Sequence, residues 1–149
     1  MAAGLAGALI TSGCASLSGA EERYLTCPYD TVWDMALETM KDWPVQKKDK
    51  DQGIIETGWT EYEGSGRKFG AFSRDAFDSR ERSRLSLQLK RINEVTMVSL
   101  LENREVWHKQ GGASSQANRW WPIDSSKEVL NEVMVRLNKK LKEHGCPPQ

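Results

Sequence analysis

The stretch ERSRLSLQLKRI, residues 81–92, decides the fold of this chain of 149 residues. Leucines stand at every second position and polar side chains stand between them, which is the two-residue period of a β-strand. Leu85, Leu87 and Leu89 therefore face a core, while Arg84 and its alternate neighbours face solvent. This pattern is typical of an antiparallel sheet with one covered face.

The sequence on either side of this strand predicts further strands. A tight turn at residues 93–94 leads into a strand over residues 95–108. Two alternative pairs of apolar residues in that strand could face the core, either Val98 with Leu100 or Met97 with Leu101. Because the alternation does not select one pair, it predicts a β-bulge. Upstream, a hairpin is predicted from strands at 45–48 and 54–62, with Ile55, Thr57 and Trp59 on one face. Residues 63–79 and 110–118 are predicted as loops.

Two amphipathic helices flank the predicted strands. The first covers residues 28–42, with an apolar face that includes Val32 and Met40. The second begins at a capping box formed by Ser125 and Glu128 and ends at Gly145. A helix, four to five antiparallel strands and a long C-terminal helix predict an α+β domain of two layers.

Charge is balanced over the chain but unevenly placed. Lys plus Arg is 21 and Asp plus Glu is 21, so the net charge is zero. This balance argues against nucleic acid as a partner, since phosphate contacts require an excess of basic side chains. No charged residue occurs among the first twenty, and residues 1–10 are all apolar or glycine.

The charge-free stretch has the pattern of a lipoprotein signal. An apolar run of ten residues is too short to span a bilayer but has the length of a signal-peptide core. Small residues 11–13 then lead into Cys14, as in a bacterial lipobox, although Thr11 stands where leucine is usual and no basic residues precede the run. We expect cleavage before Cys14 and a diacylglyceryl and N-acyl lipid on its thiol and amine. Ala15 rather than aspartate after Cys14 predicts transfer to the outer membrane.

The predicted organisation follows from this anchor. Residues 1–13 are the signal peptide, 14–22 a lipidated tether, 23–146 the domain and 147–149 a tail. Outside the cytoplasm Cys27 and Cys146 either form a disulfide or remain separate thiols, and the sequence leaves both open.

Residues suited to catalysis or metal binding are few. The two histidines, His108 and His144, are isolated at predicted element ends, and Asp49 and Asp51 belong to a turn. No nucleophile has a placed base, and no phosphate-binding loop occurs in a strand–helix context. We therefore expect no enzyme, no metal and no cofactor other than the lipid on Cys14.

Tryptophan and arginine give the best candidate for a partner surface. Trp33, Trp43, Trp59 and Trp107 are predicted in or beside the core. Adjacent Trp120 and Trp121 before a proline cannot both point inward easily, so they either cap the core or anchor a partner. Arg82 and Arg84 lie on the solvent face of their strand and either stay solvated or contact a partner or anionic headgroups.

Three motifs resemble the helix-grip domain of BamC-type (NlpB/DapX) outer-membrane lipoproteins. They are residues 32–34 in the first helix, 51–59 at the hairpin and 79–85 at the next strand. The resemblance covers about residues 23–141 and implies an antiparallel sheet that grips the C-terminal helix. It also implies an accessory role in the assembly of β-barrel proteins. This chain has room for one such domain, whereas members of that family have two. The family also has a long N-terminal segment that binds a partner lipoprotein, and the predicted tether of this chain is too short for that contact to be expected here.

Together these observations predict a membrane-anchored, periplasm-facing lipoprotein that acts as a non-enzymatic protein-interaction module. The components that assemble outer-membrane β-barrels are its expected partners. The alternative is a lipid- or small-ligand-binding domain, because helix-grip folds can enclose a cavity between sheet and helix.

Overall fold

The computed structural model describes residues 19–63, 80–107 and 119–146. Within them lie seven antiparallel strands and two helices, which confirms the α+β class and gives two more strands than the upper prediction. In chain order they are β1 (Glu21–Leu25), α1 (Tyr29–Met40), β2 (Val45–Asp49), β3 (Ile54–Thr57), β4 (Thr60–Glu63), β5 (Arg80–Ile92), β6 (Val95–Trp107), β7 (Trp120–Ile123) and α2 (Lys127–Glu143).

The sheet is built around the long hairpin of β5 and β6. These strands pair without a break from Arg80 opposite Trp107 to Ile92 opposite Val95. The predicted bulge in β6 is therefore wrong, because its two apolar sets occupy opposite faces of one regular strand. β3 and β4 share the free edge of β5, and β1 and β7 share that of β6, while β2 pairs with β3.

The core lies between the two helices and one face of the sheet, here called the helix-side face. The predicted leucines of β5 and the first of the two sets of β6 all point into it, and each is at most 2% exposed: Leu85, Leu87, Leu89, Val98 and Leu100. The apolar stripe of α2 packs on them, as does that of α1. No helix of the described residues covers the opposite face, here called the open face.

The C-terminal end of α2 agrees with the prediction, whereas a different residue caps its N-terminal end. Gly145 has a φ of +80° and ends the helix, with the Cys146 N–H donating to the Leu141 carbonyl at 3.0 Å. At the start, Ser126 rather than Ser125 is the cap, and its Oγ accepts from the Val129 N–H at 3.4 Å. Ser125 instead donates its hydroxyl to the Glu102 carbonyl of β6 at 2.8 Å.

The first strand begins before the predicted start of the domain at residue 23, because Glu21 and Glu22 already belong to β1. Leu25 is the only buried residue of that strand, so its sequence lacks apolar alternation and its pairing with β6 defines it. Just beyond it, Cys27 forms a disulfide with Cys146, with Cα atoms 5.8 Å apart. Cys14, His108 and most of the predicted loops lie outside the described residues.

Candidate interaction surface

The central hairpin extends beyond the helices as a four-stranded projection, here called the blade. It consists of β4, residues 80–84 of β5, residues 103–107 of β6, and β7. None of these residues is buried, although Leu85 and Glu102 at the border are only 2% and 3% exposed. Both faces of the blade are therefore accessible surfaces within the described chain.

A one-residue shift in register brings Trp59 to the open face of the blade. β3 pairs Glu56 with Ser86, but β4 pairs Thr60 with Ser83, so one extra residue lies between them. Such a shift exchanges the two faces of a strand. The prediction that Trp59 shares a face with Ile55 and Thr57 is therefore wrong.

Gly58 allows the chain to change from one face of the sheet to the other between β3 and β4. Its N–H donates to the Pro44 carbonyl at 2.8 Å, and a Cβ at Gly58 would lie 2.5 Å from Nε2 of Gln46. A larger residue would displace the Gln46 side chain from the adjoining strand.

Tryptophan and arginine side chains alternate across the open face in a row, here called the Trp–Arg stack. Its order is Arg84, Trp59, Arg82, Trp120 and Arg80. The successive distances from guanidinium carbon to indole centroid are 4.9, 4.3, 4.2 and 5.9 Å. Arg82 is thus held between two indoles, one from the β3–β4 junction and one from β7. A guanidinium over an indole face stabilises by about 0.5–2 kcal/mol, with the larger values where water is excluded.

Ion pairs fix two of the three arginines of the stack. Arg82 donates to the Glu105 carboxylate of β6 at 2.7 Å, and both side chains are about one quarter exposed. Arg80 lies 3.5 Å from the Glu61 carboxylate of β4. Arg84 is exposed and has no ion pair among the described residues, so its donors remain accessible to a ligand.

The helix-side face of the blade carries a separate polar network. Arg104 donates from Nη2 to the Glu81 carboxylate at 2.6 Å and from Nε to the Tyr62 hydroxyl at 3.3 Å. Burial opposes the charge on this guanidinium, but the bonds to Tyr62 and Glu81 outweigh burial and raise the pKa of Arg104. On the same face Arg119 lies 3.8 Å over the Trp121 ring.

The structure brings together three of the four residues predicted as a partner surface. Arg82 contacts Trp120 directly, and Arg84 joins them through Trp59, whereas Trp121 lies on the opposite face. The prediction that Trp59 and Trp107 lie in or beside the core is wrong. Both are half-buried on the blade, where Trp107 packs against Trp120 with centroids 5.6 Å apart. Only the register shift and the position of β7 reveal this, and neither leaves a local sequence signal.

A groove of about 530 Å³ separates β1 from β7 along the edge of β6. Residues 101–103 of β6 have no strand partner there. The groove is lined by Gly19 at the start of the described chain, by Asn103 and Pro122 at the base of the blade, and by Leu130 of α2. The buried Glu102 carboxylate, which also lines it, accepts the Ser126 N–H at 2.6 Å. The groove therefore lies where the chain enters the domain, beside the first turn of α2.

His144 and Asp49, which were considered for catalysis or a cation site, occupy structural positions. His144 caps α2 with Nδ1 2.9 Å from the Lys140 carbonyl, and Asp49 accepts the Gln52 N–H at 2.9 Å in the hairpin turn. Across residues 19–63, 80–107 and 119–146, no three His, Cys, Asp or Glu side chains are grouped to hold a metal ion. In the same ranges, no helix has the length and apolar character needed to cross a membrane.

Comparison of the sequence with models of known protein families, and with curated proteins, gives no match.

Proposed function

We propose that this protein is a lipid-anchored, non-enzymatic interaction module of the bacterial cell envelope, whose contact surface is the open face of the blade. The Trp–Arg stack is the observation that carries this proposal. The lipid on Cys14 holds the module at the periplasmic side of the outer membrane, and the blade presents the stack to a protein partner.

The composition and rigidity of the stack support protein binding. Tryptophan and arginine dominate the binding energy of protein interfaces, mainly where they are held rigidly and lose little entropy on association. Arg82 is already fixed by two indoles and by Glu105, so it loses little further freedom when a partner binds. The donors of the exposed Arg84 suit a carboxylate or a main-chain carbonyl of that partner.

The partner that we propose belongs to the machinery that assembles outer-membrane β-barrels. The resemblance to the BamC-type helix-grip domain supports this choice, together with the lipobox at Cys14. An antiparallel sheet that packs on a C-terminal helix of 17 residues is compatible with that fold. We therefore include in the proposal that this chain forms a single helix-grip domain.

A ligand enclosed beneath α2 has less support. The side chains of α2 that face the sheet are almost fully buried: Val133, Met134, Leu137 and Leu141. The groove of about 530 Å³ lies beside the first turn of α2, and none of these four side chains lines it.

Metabolic labelling with a palmitate analogue tests the anchor, and site-specific crosslinking tests the surface. We expect label on the wild-type chain and none on Cys14→Ser. A photo-crosslinking residue at Arg84 should capture a component of the β-barrel assembly machinery in intact cells. The same residue at Asn138, exposed on α2, should not. Label retained on Cys14→Ser, or equal capture from both positions, would contradict the proposal.

A further inference from the structure

Arg84 is the arginine of the Trp–Arg stack that lies at the base of the blade. Arg82 has an indole on each side of its guanidinium, whereas Arg84 has only Trp59, at 4.9 Å from the ring centroid. Because Trp59 lies between the two arginines, the second side of Arg84 is directed toward Ser86, the next residue of β5 on the open face. The space over Ser86 beside Arg84, which no aromatic ring of the described chain occupies, is here called the ring position.

The floor of the ring position is small and partly apolar. Ser86 pairs with Leu101 of β6 on one side and with Glu56 of β3 on the other, so all three side chains point to the open face. Each of them is half-buried. Leu101 also lines the groove along the edge of β6, as does Asn103, which pairs with Arg84. A side chain in the ring position would therefore rest on Ser86 and Leu101, and the residues next to it would have room in the groove.

The wall of the ring position formed by Arg84 favours an aromatic side chain. Arg84 is exposed and has no ion pair among the described residues. Guanidinium groups bind the faces of aromatic rings, best of all those of tryptophan. The protein itself uses this arrangement at Arg82, which lies 4.3 Å from one indole centroid and 4.2 Å from another. A ring against the second side of Arg84 would repeat it.

The opposite border of the ring position, at Glu56, selects among aromatic side chains. The Glu56 carboxylate makes no hydrogen bond or ion pair within the described chain, although Lys47 of β2 lies opposite it in the sheet. A half-buried carboxylate is incompletely hydrated, so a nearby donor stabilises it. The indole N–H of tryptophan and the hydroxyl of tyrosine can donate to it, whereas phenylalanine has no side-chain donor.

We infer that the ring position binds a tryptophan or tyrosine side chain of the protein partner, which stacks on Arg84 and donates a hydrogen bond to Glu56. This inference rests on the proposed function and specifies the chemistry of the partner. Trp59 is then a positioning residue, because it holds the other side of the Arg84 guanidinium. The N–H donors at the edge of Arg84 stay available for an acceptor beside the bound ring.

Titration with capped amino acids tests the ring position without a partner. The mature chain carries Cys14→Ser, so that no lipid competes for the probe. N-acetyltryptophanamide is compared with N-acetylleucinamide, which is apolar but has no ring, and with N-acetylphenylalaninamide, which has a ring but no side-chain donor. The NMR signals of the Arg84 Nε–H and of the Ser86 amide report binding.

We expect the tryptophan probe to shift both signals and to bind at least about threefold more tightly than the leucine probe, since a single cation–π contact at an exposed site contributes modestly. The phenylalanine probe should bind less tightly than the tryptophan probe. Ser86→Leu fills the ring position but keeps Arg84, and it should abolish the preference for tryptophan. Gln88→Leu adds the same side chain at the next position of the open face and should leave the preference unchanged. The amide signal of the buried Leu87 shows whether both variants keep the fold.

Arg84→Gln provides a second test at an exposed side chain, and it should also abolish the preference for tryptophan. Equal affinity of the tryptophan and leucine probes, an unchanged preference in Ser86→Leu or Arg84→Gln, or its loss in Gln88→Leu would overturn the inference. Equal affinity of the tryptophan and phenylalanine probes would overturn the role of Glu56. These results leave the proposed function intact, because Arg84 can still bind a partner through a carboxylate. A preference for tryptophan without any capture of an assembly component from position 84 refutes the proposed function instead.

Discussion

The two halves of β5 show two ways of stabilising one strand. From Leu85 onward the strand buries a leucine at every second position against α1 and α2, so apolar burial holds it. From Arg80 to Arg84 no helix of the described chain covers the strand, and side-chain stacking with ion pairs holds it to its neighbours. The covered half supplies the stability of the domain, and the blade supplies an accessible and locally ordered surface.

The largest expected effect is in the covered half, at the disulfide. Replacing Cys27 and Cys146 by serine should lower the free energy of unfolding by about 4–5 kcal/mol, because the bond closes a loop of 119 residues in the unfolded chain. Denaturant titration under oxidising conditions measures the loss. Reduction of the wild-type protein should produce a similar loss, and an unchanged midpoint in either experiment would refute the prediction.

A cavity in the core should have the next largest effect. Leu87→Ala should cost about 3 kcal/mol, since Leu87 is fully buried between the sheet and the helices. Its neighbour Gln88 is exposed on the open face, and Gln88→Ala provides the matched control with a change below about 0.5 kcal/mol. Equal effects at the two positions would mean that the covered face is not the source of stability.

A change in the blade should act locally rather than globally. Arg82→Met keeps an extended side chain but removes two cation–π contacts and the pair with Glu105. We expect a loss of about 1 kcal/mol in unfolding free energy, since partly exposed pairs contribute little, together with faster amide exchange in β4 and β7. Lys90→Met, on the same face of β5 but outside the blade, should leave exchange in those strands unchanged. Unaltered exchange in Arg82→Met would show that the stack does not hold the blade together.

The smallest effect concerns the contact between the helices. Lys140 donates to the Glu38 carboxylate at 2.8 Å, and this hydrogen bond lowers the pKa of Glu38 below its usual value near 4.5. A depressed pKa in the folded state stabilises the protein above that usual value, and the contribution disappears as the pH falls through the lowered pKa. Lys140→Met should therefore reduce the loss of stability below about pH 4.5 relative to wild type, as measured by denaturant titration across pH. Lys142→Met, exposed nearer the end of the same helix, is the control. The same acid sensitivity in all three proteins would exclude the pair as its cause.

The fold of the covered half could be read from the sequence because its signals are local. The alternation at Leu85, Leu87 and Leu89 and the stop at Gly145 each depend on a few neighbouring residues. Strands β1 and β7 could not be read in this way, and β4 was predicted only as the end of one continuous strand over residues 54–62. None of the three alternates between apolar and polar residues, and they form because β5 and β6 offer free main-chain donors and acceptors.

The residues of the candidate site likewise fall into those that the sequence predicts and those that only the strand pairing reveals. Composition and strand phase were sufficient to single out Arg82, Arg84 and Trp120. They could not show that Trp59 lies between the two arginines, nor that Trp121 faces away. Trp59 reaches the open face only because one extra residue at Gly58 shifts the register between β3 and β4. Periodicity is a property of consecutive residues, whereas a stack of side chains from β5, β7 and the β3–β4 junction is a property of how the strands are paired.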